Sequence, residues 1–217
     1  MRAWNARKSQ PRERRQSPRL TKRELRQSLS GSGRKWVRDV WKAATRETAE
    51  MSRLSPVTTP LGNRLVESYA AEHGVAGEEI QRALRIAVVA GYASRMVLGE
   101  PTDQPSLEAP AFQLKNGDDP AAIGADPRAV TRLMDPVRSI ASERFDSVMT
   151  LPPEVWSAYV KTAAMRLQEQ LGTKTVTWKD LLTSRIEQML RYGYVLRCLD
   201  EALDAEPELR EVESGSE

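Results

Sequence analysis

Apolar residues recur at three- and four-residue spacing along most of the chain, and no window alternates apolar with polar residues as a half-buried strand would. Val37, Val40, Trp41, Ala44, Thr48 and Met51 form one such stripe and predict a first helix over about 35–53, docked by that narrow face on the protein's own core. Thr59-Pro60 has the form of an N-cap followed by a first-turn proline, and predicts a helix that runs to about His73 and stops at Gly74. A longer helix over about 78–98 turns Ile80, Leu84, Ala87, Val88 and Gly91 inward, and Gly99-Glu100-Pro101 ends it. Residues 100–127 are rich in Pro, Asp and Gly and lack a helical period, which predicts a linker or long surface loop. Asp126-Pro127 and Asp135-Pro136 repeat the cap-and-proline form and predict two short helices, or one kinked helix, over about 127–149.

Two long stripes close the chain. Val155, Tyr159, Ala163, Leu167 and Leu171 mark a helix over about 153–171; Leu181, Leu182, Ile186, Met189, Leu190, Leu196, Leu199 and Leu203 mark another over about 178–203. The short connection at 172–177 predicts that they pair antiparallel. The pattern therefore predicts an all-α protein: a bundle of about six to seven helices, as one body or as two helical subdomains. Its parts are an arm over 1–35, an N-terminal helical subdomain over 36–99, the linker or loop 100–127, a C-terminal helical subdomain over 128–204 and a tail over 205–217.

Charge changes this picture at both ends. The net charge of +3 conceals a basic segment over 1–35 with twelve Lys and Arg against Glu13 and Glu24, and an acidic end over 200–217 with eight acids against Arg210. The 164 residues between them carry 20 charges of each sign. The basic segment mixes arginine with Pro, Ser, Gln and Gly and has little to bury, so in isolation it is expected to be a disordered arm. Its cations Arg12, Arg14, Arg15, Arg19, Lys22, Arg23, Arg26, Arg34 and Lys35 suit a phosphate backbone. The planar guanidinium fork donates two parallel hydrogen bonds to phosphate oxygens and is cheaply desolvated. The same segment also reads as a solvated tail, a targeting segment, or a contact for acidic membranes or proteins. The acidic end either folds back on the arm and competes with nucleic acid, pairs head to tail with another copy, or is a solvated terminus.

Residues that carry catalysis are scarce. His73 is the single histidine and Cys198 the single cysteine, which excludes a His/Cys metal cluster and an intrachain disulfide. Neither a phosphate-binding GxxxxGK[ST] loop nor a GxGxxG turn after a strand occurs, and the acid pairs Glu78-Glu79 and Asp118-Asp119 fit a helix start and a polar loop. We expect no catalysis, no metal and no cofactor. No apolar run approaches the roughly 20 residues of a membrane span, and no signal-peptide pattern is present. The expected setting is inside a cell, in cytoplasm, nucleoid or nucleus, or in a virion, with no membrane partner.

The stretch YAAEHGVAGEEIQRAL, residues 69–84, resembles the helix-turn-helix of bacterial repressors. With Gly74 as the turn glycine, Tyr69, Ala70, Val75, Ile80 and Ala83 occupy the positions that pack the two helices of that motif. The resemblance implies a reading face at Gln81, Arg82 and Arg85, where Gln pairs with adenine and Arg with guanine. Glu78 and Glu79 lead that face and repel phosphate, and His73 stands where the motif prefers a small apolar residue; the same spacing also serves a hairpin that only packs. The function expected is a non-catalytic nucleic-acid-binding protein. It would be a DNA-binding regulator or accessory factor, or an RNA- or DNA-packaging, coat-like subunit that forms a homo-oligomer. The alternative is a structural or adaptor protein that binds acidic protein partners.

Overall fold

The computed structural model of the chain describes residues 54–98, 109–114, 119–171 and 183–214. Among them are seven α-helices and no strand: α1 (Thr58–Glu72), α2 (Glu78–Leu98), α3 (Pro120–Ala125), α4 (Pro127–Glu143), α5 (Phe145–Val148), α6 (Pro153–Leu171) and α7 (Thr183–Ser214), with one 3-10 turn at Ala109–Phe112. The all-α expectation holds. The basic arm, the helix expected over 35–53, the connection expected at 172–177 and the expected start of the last helix over 178–182 lie outside the described residues.

The helix starts follow from local chemistry. Asp119 and Asp126 are extended residues whose Oδ1 atoms accept the amides of Ala121 (3.0 Å) and Arg128 (2.9 Å), and Pro120 and Pro127 fill the first helical positions where no amide is needed. The region 100–127, expected as loop or linker, therefore holds a short helix, because Asp119-Pro120 repeats the cap signal of Asp126-Pro127, and it also holds the 3-10 turn. Asp135-Pro136 does not start a helix. Pro136 lies inside α4, since Val130, Leu133 and Met134 before it and Val137, Ile140 and Ala141 after it make one buried stripe that packing keeps continuous. α1 starts at Thr58 rather than after Thr59, because Ser55 Oγ accepts the Thr58 amide at 3.1 Å; Pro60 still falls in the first turn, where its missing N–H costs nothing. α7 runs eleven residues beyond Leu203, to Ser214.

The core is centred on α2 and α7. Every residue of α2 from Ala87 to Arg95 is buried, as is every residue of α7 from Tyr192 to Leu196, the all-round burial of a helix enclosed by others. The two backbones touch: a Cβ on Gly91 would lie 2.0 Å from the Leu190 carbonyl oxygen, and one on Gly193 would lie 1.8 Å from that of Val88. α6 closes on this pair through the buried Tyr159, whose hydroxyl donates to the Ala90 carbonyl at 2.9 Å. Arg64 reaches Thr131 (3.0 Å) and Arg138 reaches both Ser68 (2.6 Å) and Glu72 (2.8 Å), so α1 and α4 lie side by side in the same direction. Phe145, Trp156, Tyr159 and Tyr194 form an aromatic cluster with successive centroids 4.8–6.0 Å apart. Buried residues from both sides of the 100–127 region belong to one contiguous apolar cluster, from Leu54 to Leu203.

Candidate nucleic-acid interface

α1 ends in a Schellman arrangement. The Val75 amide bonds the Ala70 carbonyl (2.8 Å) and the Gly74 amide bonds that of Ala71 (3.4 Å), which requires the left-handed φ of +59° at Gly74. His73 covers this end, with its ring stacked on Tyr69 at 4.0 Å and its Nδ1 3.0 Å from the Tyr69 carbonyl oxygen. A second left-handed glycine, Gly77 at φ +108°, leads into α2. The link between helices is thus five residues, His73–Gly77, against the three or four common in helix-turn-helix motifs. Tyr69, Ala70, Val75 and Ala83 are buried and Ile80 is half-buried, as packing of the two helices requires.

No family model, curated protein or solved structure matches this chain. The likeness to a DNA reader therefore stands on the hairpin's own residues.

Arg82 is exposed, and Gln81 and Arg85 are half-buried, in the first turns of α2. The three share that end of the helix, and neither arginine forms an ion pair with a described residue. Glu78 and Glu79 are exposed immediately ahead of them. From Ala87 to Arg95 α2 is enclosed in the core, so along that stretch it presents no face to a groove, whereas its first turns do. The nine arm cations, Arg12 to Lys35, lie outside the described residues.

Sequence reasoning counted Asp200 and Glu201 with the acidic end by charge and within the last helix by register; the structure builds both into a polar network between α1, α2 and α7. Asp200, 4% exposed, accepts from Ser55 Oγ (2.6 Å), Thr58 Oγ1 (3.4 Å) and the Tyr92 hydroxyl (2.5 Å). Arg197 donates to Tyr92 (3.3 Å) and to Glu201 (3.2 Å), while Arg95, 6% exposed, donates to the other Glu201 oxygen (2.8 Å) and to Tyr194 (3.0 Å). Tyr194 in turn accepts the Thr150 amide at 3.1 Å. A signal was present in the sequence: Asp200 falls among Leu196, Leu199 and Leu203, and Arg95 lies four residues after the inward Gly91. A charge at an inward register marks a buried pair.

The network holds its protons firmly. Burial, then the charge and hydrogen bond of Asp200, push the Tyr92 hydroxyl well above the usual phenol range, so it stays a donor. Burial alone would weaken the Arg95 cation, yet Cys198, Tyr194 and Glu201 outweigh it and hold it charged. Burial pushes the Cys198 thiol up to about 12, which keeps it a neutral, unreactive core group. These groups fasten helices together and present neither a free base nor a nucleophile. Among the described residues no group of three His, Cys, Asp or Glu is placed to hold a metal, and no helix is long and apolar enough to cross a membrane. Among the described residues, one open hollow of about 320 Å³ lies beside Phe112, Leu114, Ile123 and Arg132, and another of about 250 Å³ lies beside Trp156, Lys161 and Arg191.

Proposed function

We propose that the protein is a non-catalytic nucleic-acid-binding protein, in which the arginine-rich segment 1–35 contacts phosphates and the helical body gives shape and weak specificity. The observation that carries this reading is the segregation of charge: twelve cations against two acids in 35 residues, ahead of a body that is close to neutral. Neutralising several phosphates releases condensed counterions, which makes such a segment bind polyanions with a steep dependence on salt. Arg82 and Arg85, which form no ion pair with a described residue, stand with Gln81 at one end of α2 and support a secondary contact from the body. The partner is DNA or RNA inside a cell or particle, and assembly on it separates a regulator from a packaging subunit.

Fluorescence anisotropy with a short labelled duplex DNA and a single-stranded RNA tests the reading. Changing the nine arm cations to Gln in the full chain should weaken binding by about 100-fold or more at ~50 mM salt. Unchanged affinity would sink the assignment, and absence of binding to either polymer would favour an adaptor for acidic proteins. The triple variant Gln81→Ala, Arg82→Ala, Arg85→Ala separately examines the hairpin. Loss of discrimination among DNA sequences makes it a reader, and unaltered discrimination makes it scaffold. Light scattering with nucleic acid present distinguishes ordered assembly, as in packaging, from a dimer.

A further inference from the structure

We propose that the open hollow between the 3-10 turn, α3 and the first turns of α4 is a binding site for a small organic monoanion. Its ligand is an apolar body of about ten heavy atoms bearing one carboxylate, which Arg132 receives. The site stands apart from the nucleic-acid contacts, and neither depends on the other.

Three elements build the walls. Phe112, Gln113 and Leu114 all line the hollow. Successive side chains of an extended segment point to opposite sides, so three in a row on one hollow need a turn in the backbone. Gln113 supplies it with φ +57°, the one left-handed residue other than glycine among the described residues. A side chain held in that conformation carries strain, and such strain collects at ligand sites. Ile123 of α3 forms the next wall. Asp119 caps the start of α3, and a Cβ on Gly124 would lie 2.1 Å from the Pro56 carbonyl oxygen, so this wall is fixed before any ligand arrives. α4 contributes Ala129, Arg132 and Leu133, whose three- and four-residue spacing puts them on one helix face.

Size and charge then name the ligand. Phe112, Ile123, Ala129 and Leu133 are buried and apolar, so their side chains give the floor no hydrogen-bonding group. An apolar cavity of about 150 Å³ admits benzene; at about 320 Å³ this hollow holds one ring or branched chain together with its charged head. Water over such a floor finds few polar partners, and an apolar body that displaces it gains free energy. At the rim, Arg132 is exposed and forms no ion pair with a described residue. Its guanidinium fork receives a carboxylate through two parallel hydrogen bonds, and the exposed side-chain amide of Gln113 offers a further donor. Among the described residues no acid lines this hollow, whereas Asp146 and Glu187 accompany Lys161 and Arg191 in the other. The charge that the first hollow lacks is therefore a negative one.

Titration of the isotope-labelled full chain with phenylacetate, followed by amide shifts in two-dimensional NMR, tests the site. Binding should saturate with a Kd of roughly 1 mM or tighter and should move the amides of Gln113, Leu114, Ala129 and Arg132 most. Phenylacetamide keeps the ring and loses the charge, and should bind about tenfold more weakly. Phenylacetate should lose about as much on Arg132→Gln, an exposed position whose change leaves the fold intact, and less on Arg132→Lys. Ala129→Leu fills the floor and keeps the charge, and should weaken binding about tenfold or more. Inorganic phosphate, an anion with no apolar body, should compete at least about tenfold less well. No saturable binding by ~10 mM phenylacetate, or equal affinity in the unaltered chain, Arg132→Gln and Ala129→Leu, overturns the proposal. Equal competition by phosphate overturns it too, by making Arg132 a general anion contact. Shifts of the same amides with protein concentration alone would give the hollow to a second copy and overturn it as well.

Discussion

At the scale of single residues, the account depends on positions where no side chain, or one particular side chain, fits. Gly193→Ala would set a methyl 1.8 Å from the Val88 carbonyl oxygen, and because backbone atoms are struck, α2 and α7 must separate. The expected cost is about 3 kcal/mol in urea unfolding. Gly74→Ala meets nothing within 4 Å and suffers only from its left-handed φ, so its cost should be about 1 kcal/mol. Equal effects of the two substitutions would contradict the close crossing. Asp200→Ala removes the acceptor of Ser55, Thr58 and Tyr92 and should cost about 3 kcal/mol, with Tyr92→Phe costing about 1. A neutral Asp200→Ala would show that the network fastens nothing. These residues were only partly legible in the sequence: inward Gly91 was read from spacing, but Gly193 and Asp200 depend on which helix crosses which, a long-range fact that periodicity does not carry.

At the scale of elements, the apolar stripes located the helices, and local chemistry set their starts. Asp119→Ala and Asp126→Ala should each cost about 1 kcal/mol, because each removes a side-chain acceptor from a helix's first amides. Asp135→Ala, an exposed residue in the middle of α4, should change stability by less than about 0.5 kcal/mol. Thermal unfolding of the three variants checks the distinction, and comparable losses at all three would mean that Asp135 caps a helix after all. The two Asp-Pro pairs Asp126-Pro127 and Asp135-Pro136 look alike in sequence; burial on both sides of Pro136 decides between them. The helix-turn-helix resemblance was legible as a hairpin with a glycine turn. Its five-residue link was not, since the second left-handed glycine, Gly77, sets where α2 begins, and neither was the burial of α2 from Ala87 to Arg95, which depends on α7 passing across it.

At the scale of the whole molecule, the fold is a nearly neutral helical core with charge gathered at its ends. The buried hydroxyls and thiol make its stability sensitive to alkali. Burial raises Tyr92, Tyr159 and Cys198, the last from an ordinary value near 9 to about 12. A raised acid group is neutral in the folded chain and ionises first in the unfolded one, so its contribution is complete below about pH 9 and is lost as pH rises toward 12. Urea unfolding should show stability falling through that window, with phenolate absorbance of Tyr92 and Tyr159 appearing only as the chain unfolds. Phenolate signal from a still-folded protein that Tyr92→Phe or Tyr159→Phe removes would contradict their burial. The candidate interface was more legible in the sequence than the core's polar network, because charge segregation needs no fold to be seen, whereas the incorporation of Asp200 and Glu201 into the body does. The most direct test of the central claim is the slope of log binding constant against log salt for the full chain on duplex DNA. A slope near −6, corresponding to roughly seven phosphate contacts, that collapses to about −1 when the nine arm cations become Gln is the predicted result. A slope unmoved by those changes, or no binding at ~50 mM salt, would contradict it.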